Sequence, residues 1–376
     1  MRIVKQEEFD SFICTADKCT DNCCGGWQIE IDDETLKDLR DYEGPLKGAI
    51  EKAVDFENSC IRMNEKGRCE LLNEKGLCRL VLEKGEGFIS HICHTYPRHV
   101  EEYDGIREWS ISLSCPEAAK TFILRRESQE YIISDNDDPE PLEEDFEDFD
   151  ILLFTKLEDS RDVIFDILND RKKTVRERMK LILMLAFCLQ MALDEDRLFD
   201  MDDIIDDVRK DPAAIYGYTE KGFGVFEDEG ALDSYITDNA PVLYRLERLK
   251  NDWDDVLAVT ADFPGSCDDI PRAYSDAVSE LGKESREIIL ENILHTFIYT
   301  YYLGAVYDDE IYAKISMSVF CTLLIDHIYV CRRYAGKDGS GTDTYINTAY
   351  RFAKEIEHSD INLGIMEEVS AGLFTE

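Results

Sequence analysis

Nine of the chain's thirteen cysteines lie in its first 115 residues, and they are grouped. Cys14, Cys19, Cys23 and Cys24 form a C-x4-C-x3-C-C run, and Cys60, Cys69, Cys78, Cys93 and Cys115 follow at longer intervals. The rest of the chain holds Cys188, Cys267, Cys321 and Cys331. Thiols concentrated in one segment are metal ligands or disulfides far more often than chance core residues, and either use ties distant points of a chain together. An odd total and an adjacent pair fit a simple disulfide ladder poorly. The opening residues, MRIVKQEEFDSF, carry neither the basic nor the continuous apolar stretch of a secretory leader. The expectation is therefore a reducing, cytoplasmic compartment, in which dense cysteines bind metal or a cluster.

Cys19 and Cys23 are four apart, so one helical turn would put both sulfurs on one side, while Cys14 returns on a loop. Gly25 and Gly26 follow at once, and residues without a Cβ let backbone amides approach thiolates or sulfides closely. Structural zinc prefers paired C-x2-4-C ligands, a spacing met here by Cys19 and Cys23. Irregular spacing over about 100 residues is common in iron–sulfur ligation. Four cysteines complete one cubane; eight could hold two clusters, or one cluster and structural thiols.

Other residues qualify as site candidates by type and position. Tyr96 and Arg98 stand in Cys-His-Thr-Tyr-Pro-Arg (93–98), where the guanidinium could clamp a carboxylate or phosphate of a cofactor. His91, His94 and His99 read as single exposed histidines. Glu291 and His295 are i,i+4 on an otherwise apolar helix, an arrangement that can place a base beside a substrate amine. Neither G-x-G-x-x-G nor G-x4-G-K-[ST] occurs, so a nucleotide-binding α/β sheet is not supported. The net charge of −40 repels nucleic-acid phosphates and anionic lipid heads and attracts cationic partners. The richest apolar run, Leu181 to Cys188, is too short to cross a membrane, and no transmembrane segment is expected.

The pattern reads as mainly α: a cysteine-rich metal or cluster domain with a few short strands (1–126), an acidic linker or loop (127–150), then a larger helical domain (151–376). Strands are expected at Trp27–Asp32 and Trp109–Ser114, where apolar and polar residues alternate. Ser114-Cys115-Pro116-Glu117 has the capping-box form, which would put Cys115 in a helix's first turn and favour its thiolate. Helices are expected from about Glu34, over 161–169, 175–193, 241–256, 285–303 and 310–334, and last over 344–358. No internal repeat stands out.

Several ordered blocks resemble the flagellin lysine-N-methylase (FliB-like) family. They are Phe12, Cys14, Cys19, Cys23-Cys24, Gly26-Trp27, Ile31-Asp32 and Thr35; then Cys69, Leu71-Leu72 and Gly76-Leu77-Cys78; then Ser90, Cys93 and Tyr96-Pro97-Arg98; then Ser114-Cys115-Pro116-Glu117-Ala118-Ala119. Leu290-Glu291-Asn292 is a weaker echo. The resemblance implies S-adenosylmethionine-dependent methyl transfer to lysines of flagellin, or of another lysine-bearing protein, by a cytoplasmic enzyme with an oxygen-sensitive [4Fe-4S] cluster. Its implied ligands are drawn from Cys14, Cys19, Cys23, Cys24, Cys69, Cys78, Cys93 and Cys115. Two departures stand out: the C-x3-C-x2-C loop of radical S-adenosylmethionine enzymes is absent, with Gly26 at its third position, and Glu70 occupies a place the family gives to proline. The residues themselves also fit a non-catalytic zinc- or iron-binding interaction module, or an iron–sulfur redox protein.

Overall fold

The structure is a computed structural model that describes every residue except 22, 136–148, 251–252, 262, 264–268, 337–340 and 376. The fold is mainly helical. Its strands are β1 (Arg2–Gln6), β2 (Val54–Asp55), β3 (Cys60–Ile61), β4 (Arg98–Tyr103), β5 (Ile106–Ile111) and β6 (Tyr131–Asp135). Four of them form a sheet in the order β4-β5-β1-β6, with β1 parallel to β5 and antiparallel to β6. The alternation at Trp109–Ser114 thus belongs to a strand that starts earlier and ends at Ile111. At Trp27–Asp32 the alternation is real, since Ile29 and Ile31 are buried. The ladder is reduced to one bridge from Glu30 to Cys60, flanked by Ile31 N–H to Ser59 O (2.8 Å) and Ile61 N–H to Ile29 O (2.8 Å).

Side-chain caps open several helices, and the one expected over 161–169 begins earlier, at Ile151. Asp32 accepts from the Thr35 amide and opens Asp33–Arg40, Asp150 opens Ile151–Asn169, and Thr174 with Glu177 closes a reciprocal capping box on Val175–Asp194. The helix expected over 241–256 does not form. Pro241 sits in a short 3-10 turn, Ala240–Tyr244, and the α-helix starts only at Trp253. Between them the Glu247 and Leu249 amides are taken by the side chains of Asn362 (2.8 Å) and Glu355 (3.0 Å), so they are not offered to an i−4 carbonyl. The helix Thr342–Glu357 is not the last one either: Ser359 caps a further helix, Asp360–Ser370.

Ile311–Tyr334 is the central helix, packed by Val175–Asp194, Lys283–Tyr301, Thr342–Glu357 and Asp360–Ser370. It is apolar all round because it is surrounded. By length and composition it could cross a membrane, which run-counting in the sequence missed, yet its most apolar window is 100% buried inside the protein.

Buried apolar residues fall into two cores. The larger joins these helices to the sheet and reaches Leu113, Cys115 and Phe122. The smaller one centres on Ile29, Ile31, Leu36, Leu39, Ile50, Val54, Cys69, Leu71 and Leu80. Residues 1–126 contribute to both. Of the acidic run, residues 136–148 lie outside the described residues.

Candidate metal centre

Two copies of one turn carry two of the cysteines. In Asn64-Glu-Lys-Gly-Arg-Cys69, the Asn64 side-chain oxygen accepts from the amides of Lys66 (2.9 Å) and Arg68 (3.1 Å), and the Asn64 amide donates to Arg68 O (2.7 Å). In Asn73-Glu-Lys-Gly-Leu-Cys78 the same bonds recur: Lys75 at 2.9 Å, Leu77 at 3.0 Å and Asn73 N–H to Leu77 O at 2.9 Å. Gly67 (φ +67°) and Gly76 (φ +78°) occupy the same left-handed position. An internal repeat is therefore present, nine residues apart in sequence, and each copy ends by presenting a thiol. It was overlooked because its period is far shorter than that of solenoid repeats.

Cys24 lies against the first turn, where the Cys69 amide donates to Cys24 O at 2.8 Å. The adjoining glycines serve this contact. Gly26 N–H donates to Gly67 O (3.0 Å), and a Cβ on Gly25 would lie 2.4 Å from that oxygen. The Gly26 amide thus bonds the hairpin and not a sulfur, contrary to the expectation from its position after Cys24. Cys93 is in the first turn of His91–Thr95, where Ser90 caps its amide. Asp32 accepts from the His91 amide at 2.8 Å, tying this turn to the small core. His91 and His94 are exposed.

Cys115 is itself the N-cap of Pro116–Ile123, one position earlier in the helix than the capping-box reading gave it. The Ser114 hydroxyl is drawn elsewhere, to Tyr96 Oη (3.0 Å) and His358 Nε2 (3.1 Å). The amides of Glu117 and Ala118 do favour the Cys115 thiolate, but burial outweighs them and pushes the thiol up to about 11. Burial likewise pushes Cys69 to about 12 and Cys93 to about 11. Cys93 is nevertheless exposed as a residue, with Ser90 beside it. Cys23 goes the other way, to about 7: a hydrogen bond from Cys24 stabilises its thiolate against burial, and Lys354 and Lys250 add positive charge. Cys24, as the donor of that pair, is raised.

The two lysines come from the helical body. They meet at Asp21, with Lys250 Nζ at 3.0 Å and Lys354 Nζ at 2.6 Å. Burial opposes ionisation of Asp21, but the two cations hold it down at about 2. Beside them His358 packs against Trp27 with ring centroids 4.7 Å apart and the planes tilted by 40°, and Glu357 is bonded to Ser112. None of these helical residues carries a sequence signal. They are ordinary charged positions until the fold places them on the cysteine loop.

The other candidates have partners of their own. Arg98 donates to Phe12 O at 3.0 Å with its guanidinium over the rings of Phe9 and Phe12, so it holds the segment leading to Cys14. Tyr96 is engaged by Ser114 and packs near Trp27. Glu291, 2% exposed, is bonded by Arg171 (2.7 Å) and by Arg178. His295 stacks on Phe165 and meets the Tyr131 hydroxyl at 3.3 Å, and burial drives it down to about 3. Helical spacing made these two neighbours, but they point to different partners. A cavity of about 260 Å³ lies further along the helical body, lined by Asp233, Tyr274, Arg286 and Asp326 among others.

Residues 161–374 match the FliB lysine N-methylase C-terminal domain. The chain belongs to this family. The match covers the helical body, while the cysteine blocks precede it. Among curated proteins, the chain is 28% identical over 123 residues to flagellar biosynthetic protein FliU of Salmonella muenchen, spanning 30% of this chain and 71% of that one. It is 29% identical to a lysine-N-methylase of Salmonella choleraesuis and 28% identical to one of Salmonella typhimurium. Each of those matches spans 123 residues and 30% of both chains, so the alignment covers under a third of either methylase. No solved structure matches.

The family resemblance implies an iron–sulfur cluster, and free cysteine thiols are the donor type such a cluster takes. Eight cysteines from four sequence blocks are gathered in one region, and none is in a disulfide. Amides reach the sulfurs of Cys14 (Ala16 N–H, 3.4 Å) and Cys69 (Leu71 N–H, 3.4 Å), the contact that stabilises thiolate ligands. Among the described residues, no three His, Cys, Asp or Glu side chains are closed around a point that could hold a metal ion. The thiols are gathered but not drawn in.

Proposed function

We propose that this protein is an S-adenosylmethionine-dependent protein-lysine N-methyltransferase of the cytoplasm, with flagellin as its substrate and a [4Fe-4S] cluster on its N-terminal thiolates. The observation that supports this most is the gathering of eight thiols beside a helical body that matches the FliB lysine N-methylase C-terminal domain. The cluster's ligands would come from Cys14, Cys19, Cys23, Cys24, Cys69, Cys78, Cys93 and Cys115. When bound, it supplies redox or Lewis-acid chemistry beside the methyl donor.

The chain's own residues carry the rest. Lys250 and Lys354 place positive charge against Cys23 and stabilise thiolate there. Trp27, Tyr96 and His358 wall this side against water. A lysine amine attacks a methyl group only as the free base, and a desolvated surrounding favours that form. The net charge of −40 draws a lysine-bearing protein toward the surface.

The test is flagellin co-expressed with and without this protein, read by mass spectrometry for lysine methylation. Anaerobically prepared enzyme is expected to be brown, with iron and acid-labile sulfide in equal amounts. Cys19→Ser is expected to lose both iron and methylation. Unmodified flagellin lysines, with protein free of iron and sulfide when never exposed to air, would overturn the reading.

A further inference from the structure

We propose that the eight thiols form two separate four-thiolate metal sites lying side by side. One takes Cys24, Cys69, Cys78 and Cys93. The other is formed by Cys14, Cys19, Cys23 and Cys115 on the face of the helical body. The inference rests on the metal–thiolate reading above and divides its ligands.

Packing makes the division first. Cys69 is part of the smaller core, and Cys24 and Cys78 pack against it, as does Ile92 beside Cys93. Cys115 belongs to the larger core. Backbone geometry makes it again. The twin hairpins deliver Cys69 and Cys78 from the same position of the same turn, and a hydrogen bond pins the Cys24 backbone to Cys69. Paired cysteine-bearing turns of this kind suit a closed tetrahedral thiolate site.

Electrostatic neighbourhoods agree. Cys24 feels Cys69 and Cys93, and Cys69 and Cys93 both feel Cys78. On the other side Cys19 feels Cys14 and Cys23, and Cys115 feels Cys19 and Cys23. The two sets meet at the adjacent pair Cys23–Cys24, whose sulfurs share a hydrogen bond, and Cys93 also feels Cys23. Four thiolates complete one zinc tetrahedron or one cubane, so eight in this arrangement exceed a single centre.

The sites differ in surroundings, and so in role. The hairpin site is built from residues around the small core, whose apolar content is modest, and a closed metal there staples the segment together. The second site faces Tyr96 and the lysines of the helical body. It includes Cys14, an exposed residue next to Ile13, which is 81% exposed. Each set includes one exposed cysteine, Cys14 here and Cys93 in the other.

The experiment is metal and sulfide analysis of full-length protein purified without air, with X-ray absorption to count sulfur ligands. Wild type is expected to hold two centres per chain: two clusters, or one cluster and one zinc. Cys69→Ser/Cys78→Ser is expected to lose one complement and keep the other, and Cys19→Ser/Cys115→Ser to do the reverse, with circular dichroism reporting the helical body. One centre's worth of metal in wild type overturns this inference while leaving the cluster reading intact, and it decides the matter even where a variant fails to fold. Loss of all metal from both folded variants also overturns it. Metal-free wild type would overturn both readings.

Discussion

Lys354 donates to Asp21 at 2.6 Å across 333 positions of sequence, and this contact joins the cysteine loop to the helical body. Lys354 is 5% and Asp21 20% exposed at the side chain, and Lys250 shares the carboxylate. Lys354→Met leaves a largely buried carboxylate with one cation fewer. The expected loss is about 3 kcal/mol, read by chemical denaturation. The same change removes positive charge from Cys23, so in metal-free protein alkylation of Cys23 at neutral pH is expected to slow several-fold. An unchanged alkylation rate would show that the lysine does not act on the thiol.

Asp21 also has a pH signature. Its folded value of about 2 lies below the ordinary carboxylate range. Its stabilisation is therefore fully present above about pH 4 and lost as pH falls toward 2. Asp21→Asn is expected to be less stable than wild type at pH 6, with the gap narrowing in acid. A gap independent of pH would count against the ion pair as its source.

Asp233 behaves oppositely. Burial pushes it up to about 7, with Arg286 pulling the other way. A carboxyl raised in the folded state contributes stability at low pH that is lost as pH climbs from about 4 to 7. Asp233→Asn should therefore gain on wild type in thermal stability across that window and hold a constant offset above it.

Glu291 is expected to be structural. Its carboxylate is buried between Arg171 and Arg178, and removing one partner of such a group costs about 3–5 kcal/mol. Glu291→Gln should lower the melting temperature, while activity measured well below it stays within a few-fold of wild type. A large fall in kcat in a folded variant would restore Glu291 as a catalytic candidate.

Gly25→Ala tests the hairpin seat. The added Cβ meets Gly67 O at 2.4 Å, a backbone atom with little room to give. Metal bound per chain is expected to fall, and Gly48→Ala, which meets nothing within 4 Å, is the matched control.

Much of this architecture was legible in the chain. Asp32 and Thr174 cap helices because a side-chain oxygen before an amphipathic run satisfies amides that have no other partner. The 3.6-residue period of Ile311–Tyr334 was equally plain, though its burial on every side depends on its neighbours. Pro241 to Val256 was misread because long-range side chains of Glu355 and Asn362 capture amides that local pattern assigns to a helix. For Glu291 and His295, spacing places two side chains on one face of a helix, but partners on other elements decide where each points.

The sequence by itself determined that nine of the thirteen cysteines are gathered in its first 115 residues, and the order of its cysteine blocks pointed to a family. Tertiary structure alone decided that Cys69 enters the smaller core and Cys115 the larger, and that Lys250, Lys354 and His358 of the helical body come to stand beside the cysteine loop. The reason is physical. Caps and periodicity act over a few residues and are written locally, whereas burial and ion pairing depend on distances that exist only once separate segments have packed.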